Sequence, residues 1–336
     1  MRELPGSAAG KKRAAAKAVV ALWLAALAAT QAAGAPPREF PSRPLRVIVP
    51  FPPGGGADII ARILAGRLAE LAGQFVVVDN RPGASGTIGT ELAARATPDG
   101  HTVVFASLSL VVSPALFGSL NYDVLKDFAP VSLLASAPFA LVVHPSVPAA
   151  TVKDLIAYAR PRPNELNYAS AGSGTNLHVA AELFKLLGRV DIVHVPYKGS
   201  GLALAALLGG ETHLGFLGVM TVVQHVRTGR LRALGVTGPK RTPALPEVPT
   251  VAEAGVPGYE FTSWYGVLAP AATPEVRVIA LNGHLRNTLL APDVAERLGK
   301  DGAEIIASSP REFGRHLRAE LAKWAKVVKQ AGLRPD

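Results

Sequence analysis

The chain has 336 residues, no cysteine, eight histidines and a formal net charge of +10. Without thiols there are no disulfides, no thiolate metal sites and no lipid anchor on a cysteine. The basic residues are scattered and not interleaved with aromatics, which excludes a nucleic-acid footprint.

The N-terminus carries Lys11, Lys12, Arg13 and Lys17, followed by an apolar run over residues 18–30 and then Ala32, Ala33, Gly34 and Ala35. A basic head, a short apolar core and an Ala-x-Ala end predict a signal peptide over residues 1–35, cleaved after Ala35. The run is short for a membrane span, which needs about 20 residues. The first 35 residues hold a net charge of +4, leaving +6 for the mature chain. That mild positive field suits an anionic ligand. The mature protein is expected to be exported, soluble and not lipid-anchored.

Downstream, short apolar runs alternate with helical patterns. Strands are expected at 46–50, 75–79 and 102–106, with helices at 58–72 and 90–96. Next come a strand at 139–144, a helix at 151–160 capped by Thr151, a strand at 166–170 and a helix at 176–187. Residues 191–196, 213–218 and 231–237 read as strands, and 202–208 as a helix. The Pro-rich stretch 239–257 is irregular. A strand at 261–269 and helices at 274–290, near Ala295 and at 310–330 complete the chain. This alternation predicts an α/β protein with a mostly parallel sheet and helices on both faces. Two lobes are expected: 36–140 plus 236–336, and 141–235. Strands 139–143 and 231–236 are the candidate crossovers.

The strongest local feature is Phe51-Pro52-Pro53-Gly54-Gly55-Gly56-Ala57-Asp58, a glycine loop between strand and helix. Glycine lets the backbone approach a ligand, and the start of a helix offers amide donors and a favourable dipole to an anion. Asp58 reads as the helix cap, since its charge repels a carboxylate. A second such loop is Ser170-Ala171-Gly172-Ser173-Gly174-Thr175-Asn176. It is no dinucleotide fingerprint, because Leu177 fills the third glycine position. One loop falls in each lobe, so two helix starts would face one cleft. Ser85 and Gly86, Ser107 and Ser109, and Tyr197 and Lys198 lie on further loops that would complete it. Arg81 is expected to pair with Asp79, and Trp264 and Tyr265 either wall the cleft or fill core, with core favoured.

Catalytic and metal signatures are weak. No two histidines are spaced i,i+4, and Gly83-Ala84-Ser85-Gly86-Thr87 lacks the last glycine of a nucleophile elbow. A Ser/His/Asp site assembled over long range stays open. No cofactor is expected.

Several segments then occur in a telling order: Pro50-Phe51-Pro52-Pro53-Gly54-Gly55, Asn80-Arg81-Pro82-Gly83, Pro98-Asp99-Gly100, Asp127-Phe128-Ala129-Pro130-Val131, Val195-Pro196-Tyr197-Lys198-Gly199, and Val248-Pro249-Thr250-Val251-Ala252-Glu253-Ala254-Gly255. From about Phe40 onward the chain resembles the Bug family, the periplasmic solute receptors of tripartite tricarboxylate transporters. The resemblance implies a type II periplasmic binding fold. Two α/β lobes, joined by two crossover strands, would close on a small organic carboxylate, either a dicarboxylate or an acid with an aromatic or apolar body. It maps the carboxylate site onto residues 52–58 and 170–175. It implies a periplasmic monomer that is not an enzyme, with membrane permease subunits as partners. A sensor subunit docking on a membrane signalling protein, or an exported hydrolase, is the alternative. Leu202, Ala206 and Leu217 depart from the family pattern towards apolar residues, which favours a ligand less polar than a tricarboxylate.

Overall fold

The structure, a computed structural model, describes residues 40–300, 302–330 and 332–333. The expected signal segment lies outside the described residues. Beyond it, the elements follow in order: β1 (Leu45–Val49), α1 (Gly56–Ala72), β2 (Val76–Asn80), a 3-10 turn (Ala84–Gly86), α2 (Thr87–Ala94), β3 (Thr102–Ser107) and α3 (Ser109–Phe117). Then come β4 (Phe128–Val143), α4 (Val152–Ala159), β5 (Asn167–Ser170), α5 (Asn176–Gly188), β6 (Val193–Pro196), α6 (Ser200–Leu208), β7 (Leu214–Gly218), α7 (Val219–Arg227) and β8 (Arg232–Val236). The chain closes with β9 (Thr262–Pro270), α8 (Glu275–Leu290), α9 (Pro292–Lys300), β10 (Glu304–Ile305) and α10 (Pro310–Gln330).

The strand order is β2-β1-β3-β9-β4-β7-β5-β6, with β8 and β10 also on β4. Pairing is mixed rather than mostly parallel. β1 runs parallel to β2 and β3, and β5 parallel to β6 and β7, with a helix joining β1 to β2 and β5 to β6. The long β4 and β9 are antiparallel to their neighbours.

β4 organises the fold. Residues 128–138 pair with β9, and 139–143 pair with β7. One strand thus serves two sheets. The sequence predicts only its second half, because Pro130, Ser132, Ser136 and Pro138 interrupt the first. The structure takes up Pro130 and Ser132 at a register shift, with a second shift between Leu133 and Ala135, while Ser136 and Pro138 pair in register with Trp264 and Thr262. β8 pairs with β4 in the second sheet. The chain then returns through residues 237–261, anchored where the Phe261 amide donates to the Thr237 carbonyl at 2.8 Å.

Helices α3 and α7 were not expected. α3 is almost wholly buried and contains Pro114, so no polar face marks it. α4 has the expected start: Thr151 accepts from the Asp154 amide at 3.1 Å, and Asp154 accepts from the Thr151 amide at 3.0 Å. Ile48, Val104, Leu141 and Leu268 lie in the core, and from Arg43 onward the chain forms one compact unit.

Candidate functional site

β1 delivers the chain into the first glycine loop, and α1 begins at Gly56. Asp58 shapes this loop. Its carboxylate accepts from the Gly54 amide at 3.0 Å, Arg62 Nε at 3.0 Å and Asn80 Nδ2 at 2.9 Å. Burial is the largest single influence on Asp58 and pushes its carboxyl up. The hydrogen bonds from Arg62, Gly54 and Asn80 outweigh it and hold the group below its ordinary value. Asp58 is therefore not the cap, and it stands outside the cavity lining. The cap position is Gly55, which has no side chain. Gly54, with φ +85°, spends its amide on Asp58, and Pro53 also stands outside the cavity lining.

The second loop is likewise tied to its own protein. The Gly172 amide donates to Ser170 Oγ at 3.0 Å, the Gly174 amide to His178 Nδ1 at 3.1 Å, and the Thr175 amide to the Gly172 carbonyl at 3.2 Å. The Ser173 carbonyl accepts from the Ser85 hydroxyl. Ser170, Ser173 and Gly174, expected in the site, lie behind the lining. A hydrogen-bonded turn uses up the amides that sequence reasoning assigned to the ligand. The start of α5 is what faces the cavity, through Asn176 and Leu177.

The cavity encloses about 520 Å³. Of the expected residues, Phe51, Pro52, Gly55 and Gly56 line it from the first loop, and Gly172, Thr175 and Asn176 from the second. Ser85, Gly86, Ser107, Tyr197 and Lys198 line it as well. Ser109 does not; its buried hydroxyl sits 3.1 Å from that of Ser107. The first amides of a helix have no intrahelical acceptor, and Gly55, Gly56 and Ala57, at the start of α1, line this wall. Lys198 is the only charged residue among those lining the cavity.

The sequence reading missed Phe139, Ser200, Gly218 and Thr221, and for Tyr265 it favoured core over a place in the cleft wall. Tyr265 is 4% exposed, yet it forms part of the wall. Burial pushes its hydroxyl up to about 12, with the Ser263 hydroxyl acting the other way. Asn176 Nδ2 donates to the same Ser263 at 2.6 Å. Alternation along β9 is the signal that was available, since Ser263 and Tyr265 point the same way. Trp264, between them, is core and donates to Glu320 Oε2 at 3.1 Å. Leu202, Ala206 and Leu217, taken as signs of an apolar ligand, do not line the cavity; its apolar wall comes from Phe51, Phe139 and Tyr265.

Glycine is required where loops meet. A Cβ on Gly56 would stand 2.6 Å from Tyr265 Oη, and one on Gly199 2.7 Å from Pro52 Cγ. Arg81 pairs with Asp79 at 2.9 Å as expected, beside Arg46 at 2.6 Å.

A hydrolase would need an accessible serine beside a histidine. Ser170 Oγ does lie 2.5 Å from His194 Nε2, but Ser170 is fully buried and its oxygen already accepts from Gly172. Neither residue reaches the cavity. The pair holds a loop in place.

A family model described as the tripartite tricarboxylate transporter family receptor matches residues 60–333. Protein BugT of Bordetella pertussis is 38% identical over 295 residues, 87% of this chain and 90% of that protein. The solved structure of R. palustris Rpa4515 with adipate gives a TM-score of 0.86 at 40% identity, over 89% of this chain and 100% of that one. MatC (Rpa3494) from Rhodopseudomonas palustris with bound malate gives 0.82 at 34% identity, over 86% of this chain and 100% of that one.

Proposed function

This chain belongs to the tripartite tricarboxylate transporter receptor family, has its periplasmic binding-protein fold and is a receptor rather than an enzyme; on that footing we propose that it captures a small organic carboxylate outside the cytoplasm and hands it to membrane permease subunits. The observation that carries this reading is the convergence of two helix starts and Lys198 on one cavity. The starts of α1 and α5 both favour negative charge, and each suits one carboxylate. Adipate and malate in the related structures support that ligand class. Phe51, Phe139 and Tyr265 suit an apolar or aromatic body between or beyond the acid groups.

In this reading the protein is an exported monomer, cleaved after Ala35. Its two lobes, 36–140 with 236–336 and 141–235, close over the solute by bending where β4 changes partners. No helix among the described residues is long and apolar enough to cross a membrane. The test is calorimetry on refolded, ligand-free protein with a panel of mono-, di- and aromatic carboxylates. At least one acid should bind more tightly than about millimolar; a panel with no such binder sinks the reading.

A further inference from the structure

The second glycine loop is met from across the cavity by a strained turn. Gly83, Ala84, Ser85 and Gly86 all have positive φ, at +135°, +44°, +55° and +96°. Glycine adopts such angles freely, but alanine and serine do so at a cost and seldom side by side. Ala84 is exposed and Ser85 half-buried, so no core packing forces the turn. Bonds on its own side hold it. The Gly86 amide donates to the Gly83 carbonyl at 2.9 Å, and Thr87 Oγ1 donates to the Ala84 carbonyl at 2.9 Å. Thr90 Oγ1 then donates to the Gly86 carbonyl at 2.8 Å.

What the turn presents is the Ser85 hydroxyl, which donates to the Ser173 carbonyl. In the division proposed above, these two residues belong to different lobes. The two sides approach closely here because glycines line the second loop. A Cβ on Gly174 would stand 2.5 Å from Leu116 Cδ2, and one on Gly172 3.9 Å from Ser85 Oγ. Ser85 lines the cavity, yet a serine hydroxyl has one proton to give, and this one goes to a protein carbonyl instead of a carboxylate. Backbone strain of this kind persists where the surroundings hold a residue in place.

We infer that Ser85 is a positioning residue for solute retention: held out by the 83–86 turn, its hydroxyl locks the second glycine loop against the first lobe once the solute is inside. The inference rests on the receptor reading and on the lobe closure within it. A bond between lobes exists only while they are together, so it acts after capture. Solute enters an open cleft in which the bond is absent, and association is indifferent to Ser85. Solute leaves only after the bond has broken, so dissociation is not.

Two variants test this. Ser85→Gly removes the hydroxyl and is at ease in the left-handed region; Ser85→Ala removes it and keeps the backbone strain. The probe is adipate, or the tightest-binding acid of the carboxylate panel if adipate does not bind. Calorimetry on refolded, ligand-free protein gives Kd, and stopped-flow tryptophan fluorescence at rising ligand concentration gives the two rates. Both variants should bind about three- to tenfold more weakly, the scale of one neutral hydrogen bond. The whole loss should lie in faster dissociation, with association changed by less than about twofold. A residue that merely shaped the empty cavity would slow association instead. Unchanged Kd in both variants overturns the inference alone, as does a loss carried by association. A loss in Ser85→Ala that is absent in Ser85→Gly assigns the effect to backbone strain and overturns it too. Failure of every acid in the panel to bind overturns the receptor reading and this inference with it.

Discussion

A Cβ placed on Gly55 would stand 2.6 Å from the hydroxyl oxygen of Ser200. The start of α1 and the start of α6 therefore meet at one edge of the cavity, with nothing but a hydrogen on one side. Gly55 has φ −85°, so alanine suits its backbone and only the contact opposes it. Gly55→Ala should weaken ligand binding by about three- to tenfold, with little change in Tm, as expected for a contact that costs about 1 kcal/mol. Adding Ser200→Ala should restore most of the affinity, because the second change removes the obstructing oxygen. Calorimetry on the four proteins of the cycle measures this; additive losses would show that the two residues do not meet when ligand is bound.

Lys198 has the cavity wall's only full charge among the lining residues. Lys198→Gln should cost about tenfold in carboxylate affinity, the scale of one charge-assisted hydrogen bond at about 1.5–3 kcal/mol reduced by solvent access. The wild-type Kd should also rise with salt while that of the variant changes less. Titration at two ionic strengths decides it. Equal affinities would leave the helix starts as the whole anion site.

Asp99 sets an acid limit on stability. Burial pushes its carboxyl up, but the His101 amide at 2.9 Å and Arg43 at 2.6 Å pull it down to about 2. A depressed folded-state value contributes stability that is complete above the unfolded value of about 3.9 and is lost as pH falls through about 2. Asp58 works in the same direction. Asp99→Asn should lower stability by about 1 kcal/mol at neutral pH and match wild type near about pH 2. Urea unfolding at both pH values tests the sign. A gap that persists in acid means the carboxylate charge is not the cause.

Ser170→Ala distinguishes a structural serine from a reactive one. The change removes the acceptor of the Gly172 amide and the oxygen that meets His194 Nε2 inside the protein. It should cost about 1–3 kcal/mol of stability and weaken ligand binding. Ester hydrolysis should stay at background in both proteins. A wild-type esterase activity that vanishes in the variant would reverse the assignment.

Legibility differed between the fold and the site. Strand–helix alternation and glycine loops located α1, α5 and the strands before them to within a few residues, because local patterning specifies such elements. α10 matched the expected span of 310–330. The first part of β4 was hidden because its prolines and serines break the strand pattern, and only pairing with β9 holds them in the sheet. α3 was hidden because a buried helix has no polar face. Within the site, the loops were legible, but the direction of their amides was not. Gly54 and Gly174 look like anion donors in sequence, yet Asp58 and His178 take those hydrogens. Each acceptor lies four residues downstream, close enough in sequence to have been considered. Phe139 and Tyr265 come from strands distant in sequence, and only tertiary pairing brings them to one wall.

The double service of β4 has a thermodynamic consequence. It is an inner strand in both sheets, flanked by β9 and β10 along one half and by β7 and β8 along the other. Melting either sheet strips the partners from a strand that the other sheet still needs. The two halves therefore share one cooperative transition, and calorimetric unfolding should show a single peak whose enthalpy matches the van't Hoff value. A solute resting against Phe139 touches the very point where that shared strand passes from one sheet to the other, so its binding energy stabilises both halves at once.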